Sequence, residues 1–301
     1  MNRINTEPSG LPLRRGRFAP SPSGRLHFGS LVAALGSWLR ARHSGGCWIV
    51  RMEDLDRARE IPGASADILS TLAACGLASD ETVVFQSQRS HLYAQAFASL
   101  QAGGWVYPCH CSRSDLAVFG GIHPAHCVAG STDGNSPSWR LRVGNEVITF
   151  DDAICGRQTQ VLAEMVGDFV VRRSDGSYTY QLAVVVDDAD QSIDEVVRGA
   201  DLLDSTPRQL LLQRLLGLGQ PAYAHLPLAL DELGRKLSKH DQARPVDASD
   251  PVPALRSALA FLGQPVPAVL QVEGLLREAV ARFDLEKIRY GGPIDVALQK
   301  D

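Results

Sequence analysis

Several kinds of segment are missing from this chain of 301 residues, and each absence excludes a class of protein. No run of eighteen or more apolar residues occurs, which excludes a membrane-spanning helix. The first fifteen residues are polar and lack the apolar stretch of a secretory signal peptide. No internal repeat is visible. With 45% hydrophobic and 21% charged residues, the composition predicts an ordinary globular protein, and we expect a cytoplasmic location.

An excess of positive charge is also missing. Lys and Arg total 30, Asp and Glu total 34, and the formal net charge is −4. Bulk charge therefore gives no sign of a nucleic-acid partner, and any RNA would bind a local basic face. Arginines cluster at residues 14–17 and 172–173, but each cluster is equally typical of a solvated surface.

Cysteine is scarce, and its distribution argues against a disulfide framework. Cys47, Cys75 and Cys155 are scattered among apolar neighbours, whereas the other three cysteines lie close together in the sequence. The cluster has the pattern C-x-C-x11-H-x3-C, which offers three thiolates and an imidazole for a closed, structural zinc site in a reducing compartment. The cysteines are Cys109, Cys111 and Cys127, with His110, His123 and His126 as rival fourth ligands.

The first fifty residues predict a strand, a loop, a helix and a second strand. Residues 15–19 predict a short strand that Pro20 ends, and residues 24–29 form a turn-rich loop. Apolar residues recur at helical spacing from Ser30, and residues 47–52 predict a buried strand. This βαβ unit predicts an α/β fold with a doubly wound, Rossmann-like parallel sheet.

Later segments continue this alternation. Helices are predicted at about 64–75 and 90–102, and strand-like alternation covers 138–150 and 158–172. The apolar run Leu182–Val186 predicts a strand covered on both faces. The remaining predictions are strands at Glu195–Arg198 and His225–Leu230, a helix starting at Thr206-Pro207, and two or three short helices over 250–301.

Residues 105–135 differ from their surroundings. They are rich in Cys, His, Gly and Pro and poor in apolar residues, so we expect a small insertion whose order depends on a metal. The predicted organisation is a flexible lead (1–14), the first half of a nucleotide-binding α/β domain (15–104), a zinc-binding insertion (105–135), the remainder of an inserted, acceptor-type subdomain (136–175), the second half of the α/β domain with a Lys loop (176–245) and a short helical C-terminal region (246–301).

Two distant loops carry residues suited to binding ATP. His27 and Gly29 precede a predicted helix start, whose unpaired N–H groups and partial positive charge attract phosphate. Gly29 allows a ligand to approach the backbone, and His27 can donate to a phosphate oxygen. Lys236 and Lys239 can stabilise a pyrophosphate leaving group. Each loop alone is also compatible with a plain turn or a solvated surface, but together they predict activation of a carboxylate.

These loops resemble the signature motifs of glutamyl-tRNA synthetases. Residues 17–30 (RFAPSPSGRLHFGS) resemble their HIGH region, whose usual form is R-F-A-P-S-P-T-G-x-L-H-I-G, and residues 236–240 (KLSKH) resemble their KMSKS loop. Ser30 replaces the second His of the general class I motif, and His240 replaces the final Ser. The resemblance, over roughly residues 15–245, implies catalytic roles for His27 and Lys239. It implies that ATP contacts Pro20, Ser21, His27, Gly29, Ser30, Lys236 and Lys239.

Charged residues near the ends of the predicted strands suit a free amino acid. In an open parallel sheet, ligands bind at the carboxyl edge, where we expect Arg17 and Glu53. An arginine suits a carboxylate, Glu53 suits an α-ammonium, Tyr180 can close the pocket and Arg198 offers a second guanidinium. The alternative is that the two arginines form structural ion pairs with Glu53 or Asp187–Asp188. The resemblance implies that L-glutamate binds to Arg17, Phe18, Ala19, Pro20, Ser21, Glu53, Tyr180 and Arg198.

The length of chain after the Lys loop favours one branch of this family. Full glutamyl-tRNA synthetases carry a large C-terminal helical domain that reads the anticodon, whereas only about 55 residues follow the loop here. The chain therefore resembles the truncated paralogues, the glutamyl-Q tRNA(Asp) synthetases, in its His-Phe-Gly-Ser loop, its Cys-x-Cys insertion and its LAVVVDD segment. In that family a Tyr zinc ligand occupies the position of His123, so the resemblance selects His123 as the fourth ligand of a structural Zn²⁺.

The resemblance implies a reaction in two steps. Glutamate attacks the α-phosphorus of ATP, while His27 and Lys239 stabilise the developing charge and Mg²⁺ bridges the phosphates. A cyclopentene hydroxyl of the queuosine base in the tRNA(Asp) anticodon then takes the glutamyl group. We expect a monomer. The rival hypotheses are another glutamate acceptor (a tRNA 3′ end or a small molecule), a non-catalytic tRNA-binding paralogue, and a small-molecule nucleotidylyltransferase.

Overall fold

The structure of the chain is a computed structural model that describes residues 14–129, 136–229 and 245–289. The predicted flexible lead, apart from Arg14, lies outside the described residues. Lys236 and Lys239 of the predicted Lys loop lie outside them as well.

The N-terminal half of the sheet is a parallel βαβ arrangement. Strands β1, β2 and β3 hydrogen-bond side by side in that order, and the helices between them complete the crossovers. This arrangement confirms the βαβ unit predicted from the sequence. The elements are β1 (Arg15–Phe18), α1 (Phe28–His43), β2 (Cys47–Met52), α2 (Ala64–Ala74) and β3 (Val84–Phe85), followed by a 3₁₀ turn (Gln86–Gln88) and α3 (Ser90–Ala102).

The second half of the sheet begins beside β1. Strands β9 and β10 are parallel to each other, and the amide of Asp194 donates to the carbonyl of Arg15 at 3.2 Å, which joins β9 to β1. The chain thus winds outward from β1 in two directions, as in a doubly wound sheet. The elements are β9 (Glu195–Gly199), a 3₁₀ turn (Ala200–Ser205), α7 (Thr206–Leu216) and β10 (Ala222–Leu226).

Between β3 and β9 the chain forms smaller antiparallel pairings. Strands β4, β5 and β8 make a three-stranded antiparallel sheet, and the β6–β7 hairpin joins β10 through Asp152 opposite Tyr223. The elements are β4 (Val106–Cys109), α4 (Arg113–Ala117), β5 (Ser138–Leu141), β6 (Val147–Asp152), β7 (Gly156–Val161), α5 (Leu162–Met165), β8 (Phe169–Arg172) and α6 (Tyr180–Asp190).

The prediction of a strand at Leu182–Val186 was wrong, because this run lies inside helix α6. The helix buries Leu182–Val185 and also Asp187 and Asp188. A helix that is buried nearly all round shows no amphipathic period, so its sequence cannot be distinguished from a buried strand by pattern alone. The buried carboxylates of Asp187 and Asp188 therefore belong to a helix and not to the end of a strand.

Most other element predictions agree with the structure in type, but the strand-like segment predicted at 158–172 is interrupted by helix α5 at Leu162–Met165. The strand predicted at His225–Leu230 lies earlier, at β10, because Pro227 cannot donate to a β-ladder. In the described part of the C-terminal region, two short helices are present as predicted. They are α8 (Val252–Phe261) and α9 (Val272–Ala281), followed by a 3₁₀ turn (Leu285–Lys287).

Two hydrophobic clusters hold these layers together. One, around Leu35 and Trp48, joins α1 and the parallel strands to α8 and α9. The other, around Leu182 and Leu211, joins α6 and α7 to the antiparallel strands. Among the described residues, no helix combines the length and apolar character needed to cross a bilayer.

Two glycines permit close backbone contacts that any side chain would prevent. A Cβ on Gly46 would lie 1.8 Å from the carbonyl oxygen of Arg14, where the α1–β2 turn meets the start of β1. Gly167 has φ +65°, and a Cβ there would lie 2.3 Å from the carbonyl oxygen of His123. Gly167 therefore allows the histidine of the cysteine insertion to bridge onto the chain before β8.

Candidate active site

His27 caps the helix that follows the first strand. Its backbone is extended (φ −101°, ψ 169°), and its Nδ1 accepts from the amide of Ser30 at 3.2 Å. Because Nδ1 accepts, a neutral imidazole carries its proton on Nε2, which lies 3.0 Å from the Ser30 hydroxyl oxygen. A Cβ on Gly29 would touch the imidazole at 3.4 Å. The loop thus presents an N–H donor at a helix N-terminus, as an anion site requires.

The chain returns from residues 230–244 directly beside this histidine. Pro245 forms an antiparallel bridge with His27, and the amide of Val246 donates to the carbonyl of Leu26 at 2.9 Å. Lys239 is six positions before Pro245 in the sequence. The described chain therefore resumes, after the segment that contains both predicted lysines, directly beside the motif around His27.

Glu53 follows β2 and has an oxygen available for a ligand. Its amide donates to the carbonyl of Pro20 at 2.9 Å, which fixes it against the loop after β1. Among the described residues, its buried Oε1 has no hydrogen-bond partner and faces Arg51 Nη2 only at 3.5 Å. Burial raises the pKa of Glu53 to about 7, although the charges of Arg51 and Arg17 oppose the rise. An ammonium group placed here would satisfy the oxygen and favour the carboxylate.

Arg17 forms a structural ion pair with Asp188, which is the alternative to a ligand contact. Its guanidinium binds Asp188 of α6 through Nε at 3.0 Å and Nη2 at 3.3 Å, and both side chains are buried. This forked pair uses one edge of the guanidinium and leaves Nη1 outside it. The pair fixes the orientation of Arg17 at the carboxyl end of β1, so both a structural role and a ligand contact are geometrically possible.

Arg51 lies beside Glu53 and Asp188 in the candidate site, and sequence analysis missed it. It is fully buried, donates to Asp188 at 2.7 Å and to the side-chain oxygen of Gln191 at 2.7 Å, and lies 3.8 Å from Asp187. Although burial works against its charge, Asp188, Glu53 and Asp187 raise the pKa of Arg51. A single charged residue inside the apolar strand CWIVRM was the available signal, since a buried charge needs partners.

Arg198 differs from Arg17 and Arg51 in having neutral partners. It is buried at the end of β9, and its hydrogen bonds within the described residues go to five uncharged acceptors. An ionised guanidinium held in this way keeps an unneutralised charge that favours an anionic ligand. The acceptors are His225 Nε2 (3.1 Å), the Tyr180 hydroxyl (3.3 Å), the Leu202 carbonyl (3.3 Å), Thr206 Oγ1 (2.9 Å) and Gln209 Oε1 (2.8 Å).

A buried carboxylate fixes the tautomer of His225. Asp152 Oδ2 lies 2.6 Å from His225 Nδ1, and both side chains are inaccessible to solvent. Since Nδ1–H donates to Asp152, Nε2 is left to accept from Arg198. Burial, together with the charge of Arg198, lowers the pKa of His225, although Asp152 opposes this, so the ring stays neutral near pH 7. Sequence analysis placed His225 in a strand and assigned it no role.

The predicted amino-acid residues converge at the carboxyl ends of β1, β2 and β9. Burial raises the pKa of Tyr180, which is also affected by the charges of Arg198, Glu53 and Arg17. The loop residues Ala19 and Pro20 are half-buried beside them, and Ser21 is exposed. Phe18 is different, since its ring stacks on Trp48 in the core at 6.4 Å. A ligand contact by Phe18 would therefore involve its backbone.

The three clustered cysteines lie together as the spacing predicts. Within the described residues, their sulfurs form a group with all members less than 4.8 Å apart. The distance from Cys127 Sγ is 3.8 Å to Cys109 Sγ and 3.4 Å to Cys111 Sγ. A tetrahedral zinc with Zn–S bonds of about 2.3 Å requires edges of about 3.8 Å, so these thiols fit such an ion.

His123 contacts one of the three thiols, but it does not belong to the group whose ligand atoms all lie within 4.8 Å of one another. Its Nε2 lies 3.1 Å from Cys109 Sγ, and its Nδ1 lies 3.2 Å from the Tyr107 hydroxyl, which donates to Asp168 at 2.7 Å. The Nδ1–H is thus engaged by the Tyr107 hydroxyl and the Pro124 carbonyl, and Nε2 faces the sulfur of Cys109. Burial and the charge of Arg140 lower the pKa of His123, which favours the neutral, ligating form.

Comparison with known proteins identifies the family. The sequence profile described as tRNA synthetases class I (E and Q), catalytic domain, matches residues 14–118 and 121–268. The chain is 54% identical over 297 residues to the glutamyl-Q tRNA(Asp) synthetase of Xanthomonas campestris pv. campestris, covering 97% of this chain and 99% of that protein. Identity is 50% over 275 residues to the Shewanella amazonensis protein of the same name, covering 91% and 93%. The chain belongs to the glutamyl-Q tRNA(Asp) synthetase family.

A solved structure supports the same fold. Glutamate-tRNA synthetase from Elizabethkingia anophelis superposes with a TM-score of 0.79 at 25% identity, over 93% of this chain and 68% of that longer chain. The predicted doubly wound α/β fold and the predicted family are thereby confirmed. The protein is a ligase with a class I aminoacyl-tRNA synthetase catalytic domain.

Replacing Glu53 by glutamine is expected to stabilise this synthetase at high pH. The pKa of Glu53 is about 7 in the folded protein against 4.5 for the ordinary side chain. The wild type therefore loses stability as the pH rises from 4.5 through 7, because the buried group must ionise. Glu53→Gln removes this loss, so its Tm should exceed that of wild type by about 3 °C or more at pH 8, and by less at pH 5.

Thermal unfolding at the two pH values tests this expectation. Glu60→Gln is the matched control, since Glu60 is exposed on the loop after the same strand. Equal Tm differences for Glu53→Gln at both pH values would contradict the assignment of a raised pKa to Glu53.

Proposed function

We propose that this protein activates L-glutamate with ATP and transfers the glutamyl group to the queuosine base at the anticodon wobble position of tRNA(Asp). The single observation that best supports glutamate as the substrate is that one pocket contains both a buried cation and a buried carboxylate oxygen, each suited to one charged group of an amino acid. Among the described residues, Arg198 is a buried cation with neutral partners, and Glu53 has a buried oxygen without a hydrogen-bond partner. An amino acid with a carboxylate side chain satisfies both.

Each part of glutamate has a complementary group in this proposal. The side-chain carboxylate binds Arg198 and Nη1 of Arg17, and the hydroxyl of Tyr180 closes the pocket. The α-ammonium binds Glu53 Oε1. Backbone and side-chain groups of the loop after β1 complete the contacts with Phe18, Ala19, Pro20 and Ser21. The α-carboxylate then points toward the loop of His27.

ATP binds across the His27 loop and the Lys loop. A glutamate carboxylate oxygen attacks the α-phosphorus, pyrophosphate leaves, and the Nε2–H of His27 donates to the phosphate as charge develops. Pro20, Ser21, Gly29 and Ser30 line the nucleotide, and Lys236 and Lys239 stabilise the pyrophosphate. Mg²⁺ supplies charge neutralisation on the phosphates.

In the second step a cyclopentene hydroxyl of the queuosine base attacks the carbonyl of glutamyl-adenylate. An ester bond forms, the mixed anhydride bond breaks, and AMP leaves with the electron pair. No protein nucleophile is required. We include in the proposal that the enzyme acts as a monomer in the cytoplasm.

Radiolabelled glutamate distinguishes this acceptor from its rivals. The wild-type protein should catalyse glutamate-dependent ATP–pyrophosphate exchange without tRNA, and it should label tRNA only from cells that make queuosine. Absence of exchange by folded protein would reject glutamate activation and favour a non-catalytic paralogue. Exchange with equal labelling of queuosine-free tRNA would instead indicate transfer to a tRNA 3′ end, and exchange without any tRNA labelling would indicate a small-molecule acceptor.

Replacing His27 by asparagine should slow the exchange reaction. We expect kcat to fall by about 100-fold or more, with a small change in KM for glutamate, because the N–H donor acts on charge that develops at phosphorus. His91→Asn is the control, since His91 is exposed on α3, away from β1. A rise in KM for glutamate at unchanged kcat would show that His27 serves the amino acid instead.

We further propose that Cys109, Cys111, His123 and Cys127 bind a structural Zn²⁺. The charges and contacts of the cluster favour a metal, since backbone N–H donors from Ala129 and His110 and bonds to the neighbouring thiols outweigh burial and lower the pKa of Cys127 to about 7. The Nε of Arg140 and the amide of Val128 also donate to cluster sulfurs, as outer contacts of a metal site do. When bound, the ion would crosslink β4 to the segment around His123.

Metal analysis of purified variants tests this site. The wild type should contain about one zinc per chain, and Cys111→Ser and His123→Ala should each lose most of it and lower the Tm. Cys47→Ser, outside the cluster, is the control and should retain the metal. Zinc loss in His110→Ala or His126→Ala, but not in His123→Ala, would reassign the fourth ligand.

A further inference from the structure

A second cleft is lined by residues that are not among those predicted to bind glutamate or ATP. It has a volume of about 400 Å³ and opens between the cysteine insertion, the β7–α5 segment and the first turn of α7. Gly120–Ile122 form one wall, Gln160 and Met165 another, and Asp204 and Arg208 a third. The cleft therefore joins three parts of the chain that are distant in sequence.

Two polar atoms in this cleft lack partners, and they are complementary. Among the residues that the structure describes, Arg208 Nε and Gln160 Oε1 are both buried without a hydrogen bond. One is a donor and the other an acceptor. Burial also lowers the pKa of Arg208, which shows how little solvent stabilises this guanidinium. Buried polar atoms normally find partners, so a donor and an acceptor unsatisfied in one cleft indicate a ligand with both.

A chain of hydrogen bonds connects the cleft to Arg198. Arg198 donates to Gln209 at 2.8 Å, Gln209 donates to Gln181 at 3.0 Å, and Gln181 donates to Ser205 at 3.1 Å. The same Ser205 hydroxyl oxygen accepts from Arg208 Nη2 at 3.3 Å. Three side chains, those of Gln209, Gln181 and Ser205, thus link Arg208 in the cleft to Arg198 of the candidate glutamate site.

The rim and wall of the cleft present apolar surface to solvent. The side chain of Met165 in the wall is 64% exposed, and Phe119, which precedes Gly120 and lines the adjoining cleft, is 44% exposed. Sulfur and aromatic side chains at an open polar cleft suit a flat aromatic group, because nucleobases stack on such surfaces. This feature favours a planar ligand over a compact ion.

The charges of the cleft exclude a simple phosphate site. The carboxylate of Asp204 lines the same wall as Arg208 and interacts electrostatically with it. Arg208 Nη2 donates to the backbone carbonyl of Asp204 and to Ser205, so the guanidinium is already oriented by the first turn of α7. A phosphate would meet the Asp204 carboxylate, whereas an uncharged base edge would not.

We propose that this cleft binds a nucleobase of the tRNA, adjacent to the accepting nucleotide, with a carbonyl of the base accepting from Arg208 Nε and a ring N–H donating to Gln160 Oε1. The inference rests on the proposed function, which supplies an RNA substrate. It adds the face on which the RNA lies, namely the surface between the cysteine insertion and α7.

Arg208→Met and Gln160→Met test the two contacts separately. Each variant should weaken binding of tRNA(Asp) about 10-fold and raise the KM for tRNA in glutamyl transfer to a similar extent, while glutamate-dependent ATP–pyrophosphate exchange stays within about 2-fold of wild type. Arg208→Lys should not restore binding, because lysine keeps the charge but lacks the Nε–H. Arg157→Gln is the matched control, since Arg157 is exposed on the same hairpin as Gln160 and pairs only with Asp151 in the described residues.

Salt dependence separates a base contact from a phosphate contact. The slope of log K against log salt concentration should be the same in Arg208→Met and wild type, whereas loss of a phosphate contact would reduce it by about one. A reduced slope, equal weakening by Arg157→Gln, or rescue by Arg208→Lys would overturn the base assignment. A parallel loss of exchange activity would show that Arg208 only supports the fold.

The proposed function and this inference fail in different ways. A wild-type protein that binds tRNA(Asp) without transferring glutamate would refute the proposed reaction, while the variants would still decide the cleft by binding alone. A wild-type protein that transfers glutamate with unchanged affinity in both methionine variants would refute the cleft and leave the reaction intact. A wild-type protein that binds no tRNA would refute the cleft assignment directly.

Discussion

The buried interaction of Asp188 with Arg17 and Arg51 is the constraint on which the candidate active site depends. Asp188 is carried by helix α6, and the two arginines come from neighbouring parallel strands, so one carboxylate fixes a helix against the sheet. Burial alone would raise the pKa of Asp188, but the two guanidinium groups lower it below its ordinary value. Removing one member would leave uncompensated charge in the interior, which is strongly destabilising.

This network divides the arginines of the site into two kinds. Arg17 and Arg51 are matched by acidic residues, and their positions are therefore rigid whether or not a ligand is present. Among the described residues, Arg198 is held by neutral acceptors, one of which, His225, is hydrogen-bonded in turn to the carboxylate of Asp152. Because His225 lies between Arg198 and the Asp152 carboxylate, the guanidinium is oriented without being neutralised by a direct ion pair. Glu53 is the opposite case, since burial raises the pKa of its carboxyl group although the charges of Arg51 and Arg17 oppose the rise.

Features that depend on residues close together in the sequence could be predicted, whereas features that depend on distant partners could not. The βαβ unit, the start of α7 at Thr206-Pro207 and the clustering of three cysteines follow from period, proline position and spacing, and the structure agrees. The Leu182–Val186 run was misassigned, because the burial of a helix on all sides depends on its neighbours. The same limit hid Arg51: its lone charge in an apolar strand was visible, but its hydrogen-bond partners Asp188 and Gln191 lie more than 130 residues away.

The sequence by itself determined the class of chemistry. Two short motifs, the arginines near the predicted strand ends and the Cys-x-Cys spacing each depend on residues close together in the chain, and local spacing is preserved whatever the fold. Only the tertiary structure decided which charges neutralise one another. Within the described residues, it showed that Arg17 pairs with a carboxylate whereas Arg198 binds neutral acceptors, that Asp152 sets the tautomer of His225, and that Arg208 and Gln160 share a cleft. The reason is physical: the state of a buried charge depends on partners brought close by packing, and such partners are not encoded at any fixed separation along the chain.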